Sequence, residues 1–172
     1  MEKITLKLME FYGLEGELNG VMNQQTGEKL FSGLLQEKLP LITKYWLTDL
    51  GKKVAAEKAA VEELKNDLIK KYGKEDENGG IAIPMVIDEL DADGNPVKDT
   101  DAEGKEVTRK VLNPNFQAFE KEFNELLQQE KEIEYKAINL EDFANLETSE
   151  NYPVFFKLIK ADDTPVVPMP AK

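Results

Sequence analysis

Apolar and polar residues alternate at the start of the chain, between Ile4 and Leu8, and this period of two predicts a first strand. From residue 9 to residue 18 the apolar positions recur at helical spacing instead, so a short helix is expected to follow. Residues 19–33 combine glycines with polar side chains. They predict a loop or hairpin with its turn near Gly27.

The longest regular pattern starts near Pro40 and ends at Tyr72. It predicts one long amphipathic helix, since its alanines favour helix and its apolar residues fall at a and d spacings: Leu47, Leu50, Val54, Val61, Leu64 and Leu68. About thirty residues make a helix of roughly 45 Å. Such a helix can pack on its own core, project, or pair with a second long helix. Gly73 is expected to end it in the left-handed conformation.

Residues 74–112 change character, because three clusters of Asp, Glu, Asn and Gly separate short apolar runs. Two of these clusters repeat the order Asp, Ala, acid, Gly at a distance of ten residues, starting at Asp91 and Asp101. Such residues form tight turns, and Pro84 and Pro96 restrict their segments to edge strands. The pattern therefore predicts a β-hairpin arm inserted between two helices.

A second helix is predicted after the arm, with Asn113 as its cap and Pro114 as its first residue. Its apolar face is expected to pack in the core, although a hydrophobic ligand is an alternative use; the face consists of Phe116, Phe119, Phe123, Leu126 and Leu127. The segment 133–137 alternates like a strand. Asn139 and Ser149 are expected to cap two short helices, around residues 140–146 and from Tyr152 to Ile159.

These elements predict an α+β fold, in which the long helix and the Phe-rich helix pack with a small antiparallel sheet. The length of 172 residues suits one domain. We expect a single domain over residues 1–160 with residues 74–112 as its inserted arm. Residues 161–172 contain three prolines and are expected to form an extended tail.

The chain is acidic, with 34 Asp and Glu residues against 22 Lys and Arg and a formal net charge of −12. Arg109 is the single arginine, and most lysines alternate with glutamates along predicted helix faces. Phosphate recognition normally requires clustered basic residues. We therefore expect no direct nucleic-acid binding.

The chain contains neither cysteine nor histidine. Disulfides, thiolate nucleophiles, imidazole bases and the usual zinc sites are thereby excluded. Neither of the two serines, Ser32 and Ser149, lies in a Gly-x-Ser-x-Gly setting. No catalytic, cofactor-binding or metal-ligating residue is predicted, and we expect a protein that is not an enzyme and needs no cofactor.

The acidic turn at Asp91 invites comparison with a calcium-binding EF-hand loop, in which Asp91, Asp93 and Gly94 would take positions 3, 5 and 6. The comparison then fails, because Thr100 would stand where the loop requires a bidentate Glu. A plain hairpin turn is therefore expected.

The first residues are too few and too polar for a signal peptide, and no apolar run reaches the roughly 18 residues that span a membrane. We expect the protein to be made in the cytoplasm, to stay there unless a particle carries it out, and not to bind membranes.

Several segments in order resemble small structural or assembly proteins of tailed bacteriophages: the helix end at 68–73, a Glu-Asn-Gly turn, the Asn-Pro-x-Phe start at Asn113, Glu125-Leu126-Leu127 and residues 138–143. The resemblance implies a ring-forming virion subunit at the portal, neck or tail. Other phage structural proteins and further copies of the chain would be its partners. Its setting would be the host cytoplasm during assembly and then the virion.

Contacts with partners are expected on the arm and the tail, where exposed strand edges and apolar side chains favour strand addition. The residues predicted to bind are Ile81, Ile83, Met85, Val107, Val111, Val166, Val167 and Met169. Three alternatives remain: an acidic inhibitor that mimics DNA, a phage assembly chaperone, and an enzyme built on carboxylates and a metal.

Overall fold

The computed structural model describes residues 1–75, 79–138, 140–143 and 152–159. It confirms the predicted α+β class, with helices and small two-stranded antiparallel sheets. The chain divides into two compact units. The first unit contains residues 1–61 and the described residues from 128 onward, and the second contains residues 62–127. The predicted arm lies within the second unit, and the single-domain organisation stays a prediction.

The described elements follow one another in this order: β1 (Glu2–Lys7), α1 (Leu8–Asn19), β2 (Val21–Met22), β3 (Lys29–Phe31), a 3-10 turn (Leu34–Gln36), α2 (Leu41–Tyr72), β4 (Lys74–Glu75), β5 (Ile81–Ala82), β6 (Val86–Asp88), β7 (Lys98–Thr100), β8 (Glu106–Thr108), β9 (Lys110–Leu112), α3 (Pro114–Leu127), β10 (Glu130–Tyr135) and two further 3-10 turns (Leu140–Phe143 and Phe155–Leu158). The predicted first strand, first helix, long helix and Phe-rich helix are thus confirmed.

The first unit is organised around the pairing of β1 with β10, which runs antiparallel in the register Glu2 to Tyr135 through Lys7 to Glu130. Alternate side chains point to one face of this sheet. That face carries Ile133 and Tyr135 into the core, and β1 adds Leu6.

The hydrophobic core lies in the first unit. Its buried residues are Leu6, Phe11, Leu14, Leu18, Leu34, Leu47, Leu50, Val54, Ile133, Tyr135, Ile138, Phe143, Tyr152, Phe155 and Leu158. Aromatic rings meet inside it, with centroids 5.1 Å apart for Phe143 and Phe155 and 5.2 Å apart for Phe31 and Tyr152. Each fully buried Leu or Phe side chain contributes roughly 1.5–3 kcal/mol.

A carboxylate is buried beside this core. Glu17 on α1 is only 6% exposed, and it accepts hydrogen bonds from the backbone N–H groups of Val154 at 3.0 Å and Phe155 at 2.7 Å. Burial raises the pKa of the Glu17 carboxyl, while the two N–H donors oppose that shift. Glu17 therefore supplies partners to the start of the turn Phe155–Leu158, which has no capping side chain of its own.

The hairpin of β2 and β3 confirms the predicted turn, since Gly27 has a φ of +70° and Asn23 accepts N–H bonds from Gln25 and Thr26. Gly33 is required for a different reason. Its φ is +74°, and a Cβ there would lie 2.2 Å from the backbone nitrogen of Gly20.

The expectation for Gly73 is wrong, because Gly73 is not among the glycines with positive φ. Its N–H continues the helical pattern to the carbonyl of Ile69 at 2.7 Å. A Cβ at this position would approach the Ile69 oxygen and a methyl carbon of Ile81 to 2.5 Å each. Gly73 is therefore needed because strand β5 approaches it closely, and not because the helix ends there in a left-handed conformation.

The expectation that the Phe-rich face of α3 packs in the core is also wrong, because no residue of α3 is fully buried. Phe119 and Phe123 stack on each other with centroids 5.8 Å apart, and the Lys65 ammonium lies 5.7 Å from the Phe123 centroid. All five residues of the face are half-buried.

Polar contacts join α3 to α2 within the second unit. Glu122 accepts hydrogen bonds from Lys71 Nζ and Tyr72 Oη, both at 2.7 Å, and these two donors lower the pKa of its carboxyl. Exposed contacts of this kind contribute little stability each.

Toward the end of the chain the structure is less helical than predicted. The segment Phe155–Leu158 is a 3-10 turn of four residues in place of the expected helix, and Leu140–Phe143 is another. The caps predicted at Asn139 and Ser149 and the tail over residues 161–172 lie outside the described residues.

Removal of the buried carboxylate in the variant Glu17→Ala is expected to lower the free energy of unfolding by about 2–4 kcal/mol, because two backbone N–H groups lose their acceptor. Urea denaturation followed by circular dichroism measures this. Glu15→Ala is the matched control, since Glu15 forms a half-exposed ion pair with Lys58 and its loss costs no more than about 1 kcal/mol. Equal stability of the two variants would contradict the capping role of Glu17.

Candidate interaction surface

The arm of the second unit is built from short ladders. Strand β6 pairs with β9, from Val86 opposite Leu112 to Asp88 opposite Lys110. Strand β7 pairs with β8, and a single bridge joins Leu90 to Pro96. Strands β8 and β9 follow each other directly in residues 106–112, so one returning segment pairs first with β7 and then with β6. We call the β6–β9 ladder the stem of the arm.

Three strand segments meet where the stem ends. Glu89 donates its N–H to the carbonyl of Arg109 at 2.9 Å, Arg109 donates to Val97 at 2.9 Å, and Val97 donates back to Glu89 at 2.8 Å. These bonds close a ring of three residues. The stem therefore branches into two hairpins, one turning at residues 91–95 and the other at residues 101–105.

The single arginine of the chain occupies this branch point. Its Nη1 lies 3.4 Å from Glu89 Oε2, and its Nε lies 3.5 Å from Asp99 Oδ2. Arg109 thus links the stem to the second hairpin through both backbone and side chain. Sequence reasoning missed this role, because an isolated arginine in a turn-rich segment carries no pattern that indicates a branch.

The two predicted turns have the same geometry, which confirms the hairpin interpretation of the ten-residue repeat. Asp91 Oδ1 accepts N–H bonds from Asp93 and Asn95, both at 2.9 Å. Asp101 Oδ1 accepts the equivalent bonds at 3.0 and 2.9 Å. In each turn a glycine with φ above +80° follows. Backbone donors, that of Asn95 first, lower the pKa of the Asp91 carboxyl.

Both faces of the stem present apolar side chains. Val86 and Leu112 lie opposite each other and are 46% and 55% exposed. Ile87 and Val111 form the next pair, on the other face. The ion pair between Asp88 and Lys110 lies beyond Val86 and Leu112 on their own face. An exposed apolar pair bordered by charge resembles the core and rim of a protein interface.

The structure distributes the predicted partner-binding residues over three ladders. Ile81 lies in β5, Val111 in the stem and Val107 in the second hairpin, and all three are exposed. Met85 is exposed just before the stem, and Ile83 is half-buried. Val166, Val167 and Met169 lie outside the described residues. These eight residues do not form one described patch.

Val86, Leu90 and Leu112 are exposed apolar residues that sequence reasoning missed, with exposed fractions of 46%, 57% and 55%. Strand alternation does not show whether a ladder is covered on one face or on neither. In the structure both faces of the stem are exposed, since Ile87 and Val111 on the other face are each 36% exposed.

A small cleft lies at the base of the stem. It has a volume of about 190 Å³ and is lined by Tyr72, Lys74, Pro84, Ile87, Asn113, Pro114 and Asn115. Asn113 is buried there, donating from its side chain to the Pro84 carbonyl and accepting the N–H of Asn115. Sites for small molecules usually measure about 300–1,000 Å³. The cleft therefore suits one side chain of a partner better than a cofactor.

Within the part of the chain that the structure describes, no three Asp or Glu side chains come together in a group that could hold a metal ion. Among the same residues, no helix is both long and apolar enough to cross a bilayer.

Comparison of the chain with protein-family models, with curated proteins and with solved structures found no match. The resemblance to tailed-phage proteins stays a prediction. A proposal for function therefore depends on the surface of the protein.

The turn at Asp91 is expected to respond to acid. Because backbone donors favour the charged form, the pKa of Asp91 is below its ordinary value of 3.8 in the folded arm. The hydrogen bonds to the Asp91 carboxylate are then fully present above pH 3.8, and they are lost as the pH falls through the lowered pKa of the folded arm. Amide exchange at Asp93 and Asn95, followed by NMR, should accelerate there.

The variant Asp91→Asn keeps an acceptor oxygen and should abolish the acid response while retaining amide protection at neutral pH. Asp91→Ala should lose protection at every pH. Wild-type protection that persists in Asp91→Ala would show that the side chain does not hold the turn.

Proposed function

We propose that this chain is a non-enzymatic structural subunit that binds neighbouring protein subunits through the stem of its arm. The observation that supports this most directly is the exposed cross-strand pair of Val86 and Leu112. Met85, directly before β6, is also exposed, at 58%. Burying such side chains against a partner contributes roughly 1.5–3 kcal/mol each.

The stem is also suited to present this surface in a fixed shape. The hydrogen-bonded ring at Glu89, Val97 and Arg109 closes one end, and the Asn113 N–H bond to Met85 O at 2.9 Å closes the other. A surface fixed at both ends loses little conformational entropy on binding. The partner chemistry that fits is an apolar protein surface with charged groups at its border.

A partner strand is a second way to use the stem. The β6–β9 ladder has two strands within the described part of the chain, so each strand has an outer edge. Strand addition would combine backbone hydrogen bonds with contacts to Val86 or Leu112.

The assembly that we propose is the particle of a tailed bacteriophage, with this chain in a ring at the portal, neck or tail. Support for this setting comes from the order of sequence segments described above. The partners would then be other phage structural proteins, met first in the host cytoplasm and kept in the virion.

The double variant Val86→Thr/Leu112→Thr is expected to weaken binding to the purified portal, neck or tail proteins at least tenfold. Threonine keeps strand propensity but removes apolar contact area, and 1.4 kcal/mol corresponds to a factor of ten. Titration calorimetry measures the affinity.

The matched control is Lys98→Thr, which changes an exposed residue opposite Thr108 in the second hairpin and should leave affinity unchanged. Unaltered binding by the double variant, with its fold verified by circular dichroism, would contradict a role for the stem.

A further inference from the structure

The outer face of the β1–β10 sheet separates charge by strand. Strand β1 places Lys3, Thr5 and Lys7 there, and β10 places Glu130, Glu132 and Glu134 opposite them. Lys3 Nζ lies 2.6 Å from Glu132 and 3.5 Å from Glu134. One strand therefore carries two positive charges and the other carries three negative charges, which leaves β10 with an excess of carboxylate.

The pattern of backbone bonds shows which groups point away from the sheet. Leu8 donates its N–H to the carbonyl of Gln129 at 2.9 Å. In an antiparallel ladder, hydrogen-bonded and non-hydrogen-bonded residue pairs alternate. Since Leu8 and Gln129 are hydrogen-bonded, the three pairs of the outer face are non-hydrogen-bonded: Lys3 with Glu134, Thr5 with Glu132 and Lys7 with Glu130. Their N–H and C=O groups point outward along the two edges of the sheet.

Each edge is closed at one end by a side chain. Glu10 accepts the N–H of Lys7 at 2.8 Å, and Lys53 Nζ donates to the carbonyl of Glu134 at 3.0 Å. In the described structure no further strand pairs with β1 or β10. Two residues on each strand therefore have backbone groups that point outward beyond these contacts. They are Lys3 and Thr5 on β1 and Glu130 and Glu132 on β10.

Charge selects among the ways in which two copies can join such edges. Two β10 strands would place glutamate opposite glutamate in every register, and two β1 strands would pair lysine with threonine or with another lysine, so neither arrangement forms a Lys–Glu pair. Like charges directly opposite each other destabilise a ladder, whereas opposite charges stabilise it. Only β1 against β10 continues the alternation of Lys and Glu that the sheet already has.

We infer that the partner for these edges is a second copy of this chain, whose β1 adds to β10 and extends the sheet head to tail. This inference rests on the proposed structural role and names one of the partners. A head-to-tail contact uses two different surfaces, so each added copy leaves both surfaces available at the ends. Repetition gives a ring if the rotation closes and a filament if it does not.

A substitution at Thr5 tests the edge without removing the strand. Thr5→Pro deletes an N–H that points outward, so the bonds to β10 within the chain remain and only addition of a new strand is blocked. Thr5→Val is the control, because it keeps the N–H and favours strand. Analytical ultracentrifugation should show concentration-dependent oligomers for the wild type and for Thr5→Val, and a monomer for a folded Thr5→Pro.

A charge-exchanged chain tests the selection. The variant K3E/K7E/E130K/E132K/E134K restores opposite charges within its own sheet and should associate with itself. Mixed with the wild type it should form separate oligomers, because each mixed junction opposes like charges. Fluorescence energy transfer between labelled chains measures this mixing.

Free mixing of the two folded chains would overturn the inference, as would a wild type that stays monomeric throughout the concentration range. If the exchanged chain does not fold, the comparison at Thr5 decides alone, and equal oligomers of Thr5→Pro and Thr5→Val would overturn it. The stem variant Val86→Thr/Leu112→Thr should still oligomerise. A monomeric wild type that binds its partners through the stem would reject head-to-tail assembly and keep the proposed function.

Discussion

The first unit depends on the pairing of the strand at the start of the chain with β10, more than 120 residues later. This contact brings Leu6 together with Ile133 and Tyr135 and so provides a surface on which α1 and the first half of α2 are buried. Bringing two distant segments together costs chain entropy, which only burial of many apolar groups offsets. The same pairing leaves the charged outer face and the open edges on which oligomerisation would depend.

The second unit is stabilised in another way. None of its described residues belongs to the hydrophobic core, and its arm is shaped by backbone bonds, two repeated Asp turns and the ion pairs of Arg109. Hydrogen bonds of this kind are directional but each contributes little net stability. The apolar side chains of the stem are exposed, which is consistent with a role in binding.

Local patterns were sufficient for the elements of this fold. The alternation around Ile4, the heptad spacing of α2 and the Asn113-Pro114 start of α3 each encode a preference that acts over a few residues. The repeated turns were also predictable, because Asp and Gly stabilise a tight turn through their own side chain and backbone. For the site, sequence indicated the arm as a whole and the exposure of Ile81, Met85, Val107 and Val111.

Whatever depends on a distant neighbour was decided by the tertiary structure. The Phe-rich face of α3 has the pattern of a core helix, yet no residue of that face is fully buried in the structure. Glu17 looks like any surface glutamate until Val154 and Phe155 meet it. The pairing of Val86 with Leu112 in the stem likewise joins segments that are distant in the sequence. By itself the sequence determined the first strand, the helices α1, α2 and α3, the hairpin turns and the excluded chemistries, because these follow from the local backbone and from the residue types present. Tertiary structure alone decided burial, edges and exposed pairs, because they are properties of two segments in contact.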